Sequence, residues 1–252
     1  MNRELIQKLI DSKKKLVAAL DRTTTVKKFD EEGGCGVVGF CCSEPVPGKH
    51  IYKPSKQMHN RGNGKGGGIA AVGLVPEQLG VSREILDDHY LLHIALLDPA
   101  VQSEVENEFI NPFFDIAASR KLDTVEDWRT VPGLEVKPPD VCRYFVRVKP
   151  TVLDTFIREN DLQELDRREA EEEFLNQNSF KLNQAYYASL GDKKAFVLSN
   201  GRNIMILKVV GYAEAIVEYY KITDLCAHVW IAHQRFPTKG RVWHPAGAHP
   251  FA

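Results

Sequence analysis

Gly33-Gly34-Cys35-Gly36-Val37-Val38-Gly39-Phe40 is the stretch on which the reading of this chain turns. A short apolar run opened by small residues favours an extended strand, so residues 35–42 are expected to form one. Cys35 is flanked by glycines, which leaves its backbone open to a cleaving agent and its thiol open to a substrate. As an internal residue it has an amide nitrogen and no base of its own. As the first residue of a processed chain it would carry an α-amine with a pKa of about 7.7–8.0, close to where a general base is useful. Thiol and amine on one residue supply both nucleophile and proton carrier for amide hydrolysis. From Cys35 alone, the competing reading is a small buried hydrophobe at the start of a strand.

On the N-terminal side of this stretch, Leu5, Ile6, Leu9, Ile10, Leu16, Val17 and Leu20 recur at helical spacing among lysines and acids. That pattern predicts an amphipathic helix within residues 1–21. Thr23-Thr24-Thr25 and Asp30-Glu31-Glu32-Gly33-Gly34 follow as an exposed linker. By composition, residues 1–34 thus stand apart from residues 35–252 as a helix and a linker.

The gross composition limits the partners. The chain has 252 residues and a formal net charge of -1 with charges of both signs mixed, which gives no ground for a nucleic acid or an anionic membrane as partner. Its five cysteines, with Cys41 and Cys42 adjacent, do not form a secreted disulfide pattern. No apolar run is long enough to span a bilayer, and the basic N-terminus lacks the unbroken apolar segment of a secretory signal. A reducing cytoplasm is the expected compartment. Cys41 and Cys42 alternate across a strand and cannot converge on a metal with Cys35. Cys142 and Cys226 have no ligand-like spacing either, so no metal site is expected.

Further along, Met58 to Gly68 is a glycine-rich turn, and residues 69–74 read as a second strand. Residues 76–140 carry helical patterns, with Ile85, Leu86, His89, Leu92 and Leu96 on one face. Residues 142–149 alternate as a half-buried strand does. Residues 151–188 read as helical, and the charge run from Glu164 to Glu173 as a solvated helix face. Residues 195–198 and 204–210 flank Ser199-Asn200-Gly201-Arg202-Asn203 and read as a hairpin. Residues 213–220 read as a helix, and 229–232 as the strand that delivers Arg235.

Two further motifs carry chemistry. His59-Asn60-Arg61-Gly62-Asn63-Gly64-Lys65-Gly66-Gly67-Gly68 is not a phosphate loop, because no Ser or Thr follows Lys65 and the segment leads into a strand. On its residues alone it reads as a glycine-rich loop with a solvated arginine. Ile231-Ala232-His233-Gln234-Arg235-Phe236-Pro237-Thr238-Lys239-Gly240, followed by Ala248-His249-Pro250-Phe251, sets an arginine and a threonine on a turn after a strand. A guanidinium holds a carboxylate by two parallel hydrogen bonds, which lysine cannot imitate. His233 shares a strand face with Arg235, and its more favoured reading is a packed or hydrogen-bonded histidine.

These motifs together resemble the class II, N-terminal-nucleophile glutamine amidotransferases, from Cys35 to the end of the chain and most closely at its two ends. The resemblance implies an α+β fold, the Ntn-hydrolase four-layer αββα sandwich of two antiparallel sheets. It implies Cys35 as catalytic nucleophile and first residue of the working enzyme, with residues 1–34 a removable leader and 35–252 the amidotransferase domain. It implies Arg235 and Thr238 as the grip on the α-carboxylate of L-glutamine, and Gly36, Arg61, Gly62 and His233 in support. The family's His-Arg-Gly turn is interrupted here by Asn60. The family's oxyanion Asn-Gly pair and amine-binding Asp normally follow the Ala-His-Pro-Phe-like segment. They are expected beyond Ala252, so the domain is expected to be incomplete at its C-terminus, with Asn200-Gly201 a hairpin turn rather than their substitute.

The long segment at about 76–190 is expected to be an insertion. With the His-x-Arg-Phe-Pro-Thr form, it looks most like the amidotransferase domain or subunit of glutamate synthase. That implies ammonia passed to a synthase partner carrying FMN and iron–sulfur clusters, with no cofactor in this chain. The alternatives are an amidophosphoribosyltransferase-type glutaminase domain, a non-catalytic glutamine-binding regulatory subunit, or a thiol hydrolase of another amide.

Overall fold

A computed structural model describes residues 3–18, 34–62, 64–187, 192–235 and 244–251. The linker residues 23–33 and Thr238 lie outside the described residues. The elements in chain order are α1 (Arg3–Ala18), β1 (Gly36–Pro47), α2 (Lys49–Gln57), β2 (Gly67–Leu74), α3 (Pro76–Leu79), α4 (Arg83–Asp88), β3 (Tyr90–Leu96), α5 (Gln102–Val105), β4 (Phe114–Lys121), β5 (Asp140–Val148), α6 (Pro150–Glu159), α7 (Arg167–Tyr187), β6 (Ala195–Gly201), β7 (Ile204–Val209), α8 (Glu214–Tyr219) and β8 (Cys226–Gln234). The fold class is α+β.

The strands form two four-stranded antiparallel sheets, in the orders β1-β8-β2-β7 and β4-β5-β3-β6. One apolar cluster joins Ile69, Leu207, Trp230 and Ala232 of the first sheet to Leu91, Phe145 and Phe196 of the second, with Ile51 of α2 and Ile216 of α8. A second cluster packs the other face of the second sheet, through Leu92, Ile94, Tyr144 and Val146, against Leu153, Phe156, Leu175 and Leu182 of α6 and α7. Leu5 of α1 joins this second cluster, and Lys13 pairs with Glu173 at 3.2 Å. The predicted N-terminal helix therefore docks on α7.

Four expectations are corrected. Residues 90–96 and 114–121 are strands, not helix. β3 is buried along its whole length, and a fully buried strand shows a continuous apolar run with no period of two to betray it. Residues 76–140 contribute β3, β4 and the start of β5, so much of the second sheet comes from a region read as helical. The expected hairpin at 195–210 is a corner: β6 pairs with β3 and β7 with β2, so the turn at Arg202 and Asn203 passes the chain from one sheet to the other. The charge run on α7 is only partly solvated. Glu171 is buried and accepts hydrogen bonds from Arg147 Nε at 2.9 Å and the Val148 amide at 2.7 Å. Those donors come from β5, a tertiary partner that charge patterning alone cannot reveal. β5 itself is buried on both faces apart from Arg147, rather than half-buried.

Candidate active site

The register of the first sheet assembles the site. Gly36 stands opposite Gln234, and Gln234 opposite Gly67. The start of β1, carrying Cys35, therefore lies at the end of β8, which leads into Arg235. Cys35 is exposed and in no disulfide. The backbone N–H of Arg235 donates to Gly66 O at 2.7 Å, tying the end of β8 to the glycine-rich segment before β2. The Arg235 side chain is buried, 8% exposed, between that segment and residues 245–247. A Cβ on Gly66 would stand 2.9 Å from Arg235 Cδ, and one on Gly247 would stand 3.1 Å from Arg235 Nη1. Both glycines make room for the guanidinium.

Arg61 and Gly62 follow α2 on a tight turn, with the amide N–H of each donating to Met58 O. A Cβ on Gly36 would come within 2.9 Å of Arg61 Cβ, and one on Gly62 within 2.7 Å of Gln234 Cβ. The turn is thus pressed against both strand ends. The Arg61 side chain itself is exposed, and its contact with β1 runs through its Cβ.

His233 lies one residue before Gln234 and so faces the opposite side of the sheet. Its ring is buried against His249, centroids 4.9 Å apart, and its Nδ1 has no hydrogen-bond partner among the described residues. Burial, reinforced by His249 and Arg235, pushes its pKa down to about 4, so it is neutral at pH 7. This is the packed-histidine reading. The cross-strand row continues from His233 through Gly68 to Lys208. A Cβ on Gly68 would overlap His249 O, so this glycine lets residues 244–251 cross the sheet. Lys208 is buried beneath the strap, its Nζ 3.8 Å from the Phe251 ring centroid, and burial lowers its pKa to about 7.

Sequence reasoning missed the polar network behind the site. Glu214, at the start of α8, accepts from Ser55 Oγ at 3.1 Å and Gln234 Nε2 at 3.0 Å, and contacts His59 Nε2. Gln234 Oε1 accepts from the Ala213 amide at 3.1 Å, and the His59 ring stacks on Tyr212 at 3.7 Å. Glu214, Ser55 and Gln234 are buried, and the network ties β8, α2 and α8 to the turn. The one available signal was Gln234 itself, a polar residue inside an apolar strand.

The structure places Cys35, Gly36, Arg61, Gly62 and Arg235 at one end of the first sheet, with the His233 side chain on the face opposite Gln234; Thr238 lies outside the described residues. Asn200 is elsewhere, its Nδ2 donating to Asn176 Oδ1 and Ser179 Oγ of α7, both at 3.0 Å. Its amide is committed to α7. Among the described residues no group of three or more His, Cys, Asp or Glu side chains could hold a metal, and no helix is long and apolar enough to cross a membrane.

No known family model matches the chain. A protein of Archaeoglobus fulgidus named "Uncharacterized protein" is 28% identical over 221 residues, covering 86% of this chain. The alignment takes in 50% of that relative, so the chain spans about half its length.

Proposed function

We propose that this chain is a glutaminase of the class II amidotransferase type, hydrolysing L-glutamine to glutamate and ammonia through Cys35 as N-terminal nucleophile. The observation that carries the reading is the β1–β8 register, Gly36 opposite Gln234, which sets Cys35 and Arg235 at the same end of neighbouring strands. Two four-stranded antiparallel sheets with helices are compatible with the αββα sandwich of that family, which is the finer fold proposed here.

The chemistry runs in two steps. After cleavage of the Gly34–Cys35 bond, the Cys35 thiol attacks the side-chain carboxamide and its proton passes to the new α-amine. Collapse of the adduct breaks the C–N bond, the amine returns the proton, and ammonia leaves a thioester. Water then hydrolyses the thioester to glutamate and restores the thiol. Arg235 holds the substrate α-carboxylate, with Thr238 assisting. A neutral His233 adds no second positive charge to compete for that carboxylate. The ammonia is passed to a synthase partner, glutamate synthase being the best match. FMN and iron–sulfur clusters belong to that partner, with cytoplasmic location following from it.

The test is intact-mass measurement and N-terminal sequencing of purified protein, alongside glutamate release from glutamine. Active protein should begin at Cys35. Cys35→Ala should abolish release, and Arg235→Lys should mainly raise the apparent KM, because two parallel bonds become one point charge. Activity in Cys35→Ala, or in a chain that still begins at Met1, overturns the proposal.

A further inference from the structure

Beyond the other end of β8 lies a pocket of about 320 Å³, lined by Arg143, Arg120 and Lys221 together with Asp123 and Asp224. β8 has nine residues, so the pocket stands roughly 30 Å along the strand from Arg235. Arg143 is only 8% exposed. Its Nε donates to His93 Nε2 at 3.1 Å, and among the described residues no carboxylate lies within ion-pair distance of it. The acceptor is held in place: His93 is fully buried, with its Nδ1 3.3 Å from Ser199 Oγ.

A second observation points the same way. Arg120 of β4 stands directly opposite Arg143 of β5. Like charges directly opposite on neighbouring strands repel. Asp123, which also lines the pocket, pairs with Arg120 at 2.6 Å and leaves Arg143 without a carboxylate among the described residues. Arg143 is thus a buried guanidinium beside a second one, with no carboxylate of its own, and an anion in the pocket they share would offset the cost of that burial.

We propose that this pocket is a binding site for a small oxyanion-bearing metabolite, its phosphate or carboxylate group held by Arg143 and Arg120. Arg143 presents a planar fork already fixed by His93 and by burial, so little side-chain entropy is lost on binding. Arg120 and Lys221 widen the positive field toward the mouth, and Asp224 offers an acceptor for a hydroxyl or ammonium on the same ligand. A volume of this size suits a small metabolite rather than a nucleotide or a peptide. The site lies apart from Cys35 and does not rest on the glutaminase reading.

The test is isothermal titration and thermal melting of the full chain with inorganic phosphate, pyrophosphate and malonate, at constant ionic strength. Saturable binding of any of them should weaken about tenfold or more in Arg143→Gln and severalfold in Arg120→Met. Preference for the phosphates over malonate, or the reverse, identifies the group that the site takes. Arg120 is largely exposed, so its variant decides the matter if Arg143→Gln does not fold. Absence of saturation by all three up to about 10 mM, or binding that is unchanged in Arg120→Met, overturns the proposal.

Discussion

Gly36 Cα faces Gln234 across the β1–β8 ladder, while the place its Cβ would occupy is already filled by the side-chain stems of Arg61 and Met58. The residue after the candidate nucleophile is therefore held between a strand on one side and a turn on the other. Gly36→Ala would put a methyl 2.9 Å from Arg61 Cβ and 3.1 Å from Met58 Cβ. Neither is the far end of a flexible side chain, so the turn must move. The expected cost is about 1–3 kcal/mol, read as a lower urea midpoint, with a fall in glutamate release. Arg61→Gly in the same chain removes the closer contact and should recover part of the stability. An unchanged midpoint in Gly36→Ala would mean that the turn is not pressed against β1.

The network behind the strands gives a second expectation. Glu214 is buried and accepts from Ser55 and Gln234. Glu214→Leu removes the acceptor and strands those donors, at an expected cost of about 3–5 kcal/mol. Glu214→Gln keeps one carbonyl oxygen and should cost less. A double-mutant cycle of Glu214→Leu with Gln234→Leu should give a coupling energy of about 0.5–3 kcal/mol. Additive effects in chemical denaturation would show that the two side chains do not act as a unit.

What could be read in advance follows from the range of each contact. α1, β1, β2, α8 and β8 declare themselves by local period and by glycine punctuation. Cys35, Gly36, Arg61, Gly62, His233 and Arg235 stand in three short strings, so their grouping needed only that those strings meet. Ser55, Glu214 and Gln234 meet through contacts between residues far apart in the chain, and apart from Gln234, a polar residue in an apolar strand, none carries a local signature. β3 was hidden because burial on both faces erases alternation. The solvated reading of α7 missed Glu171 because the helix's own spacing does not reveal that Arg147 and Val148 lie over it.

His233 sets an acid limit. Its folded pKa is about 4 against an ordinary 6.5. Between those values the unfolded chain binds a proton that the folded chain refuses, so stability falls as pH falls. The stabilisation is fully present above about pH 6.5 and is lost by about pH 4, amounting to roughly 3 kcal/mol. In His233→Asn this contribution disappears, so the difference between wild type and variant should change with pH inside that window and stay constant above it. Urea midpoints at pH 7 and pH 4.5 test it. A difference that is the same at both values would show that His233 does not stay neutral in the folded chain.

Lys208 gives the matching alkaline behaviour, with a sign that can be stated in advance. Its folded pKa is about 7 against an ordinary 10.5, because burial under residues 244–251 strips the ammonium of water. Between those values the unfolded chain again holds the extra proton, so stability should rise with pH from about 7 to about 10.5. Below about 7 the cost of the buried charge is fully present, on the order of 5 kcal/mol before the Phe251 ring offsets part of it. Lys208→Met keeps the length and apolar stem and removes the charge. It should raise the melting temperature at pH 6.5 and lose the alkaline gain, so that the wild-type and variant curves converge near pH 10. The opposite result, a variant less stable than wild type at pH 6.5, would mean that the ammonium is stabilised by its contact with the Phe251 face rather than tolerated beneath it.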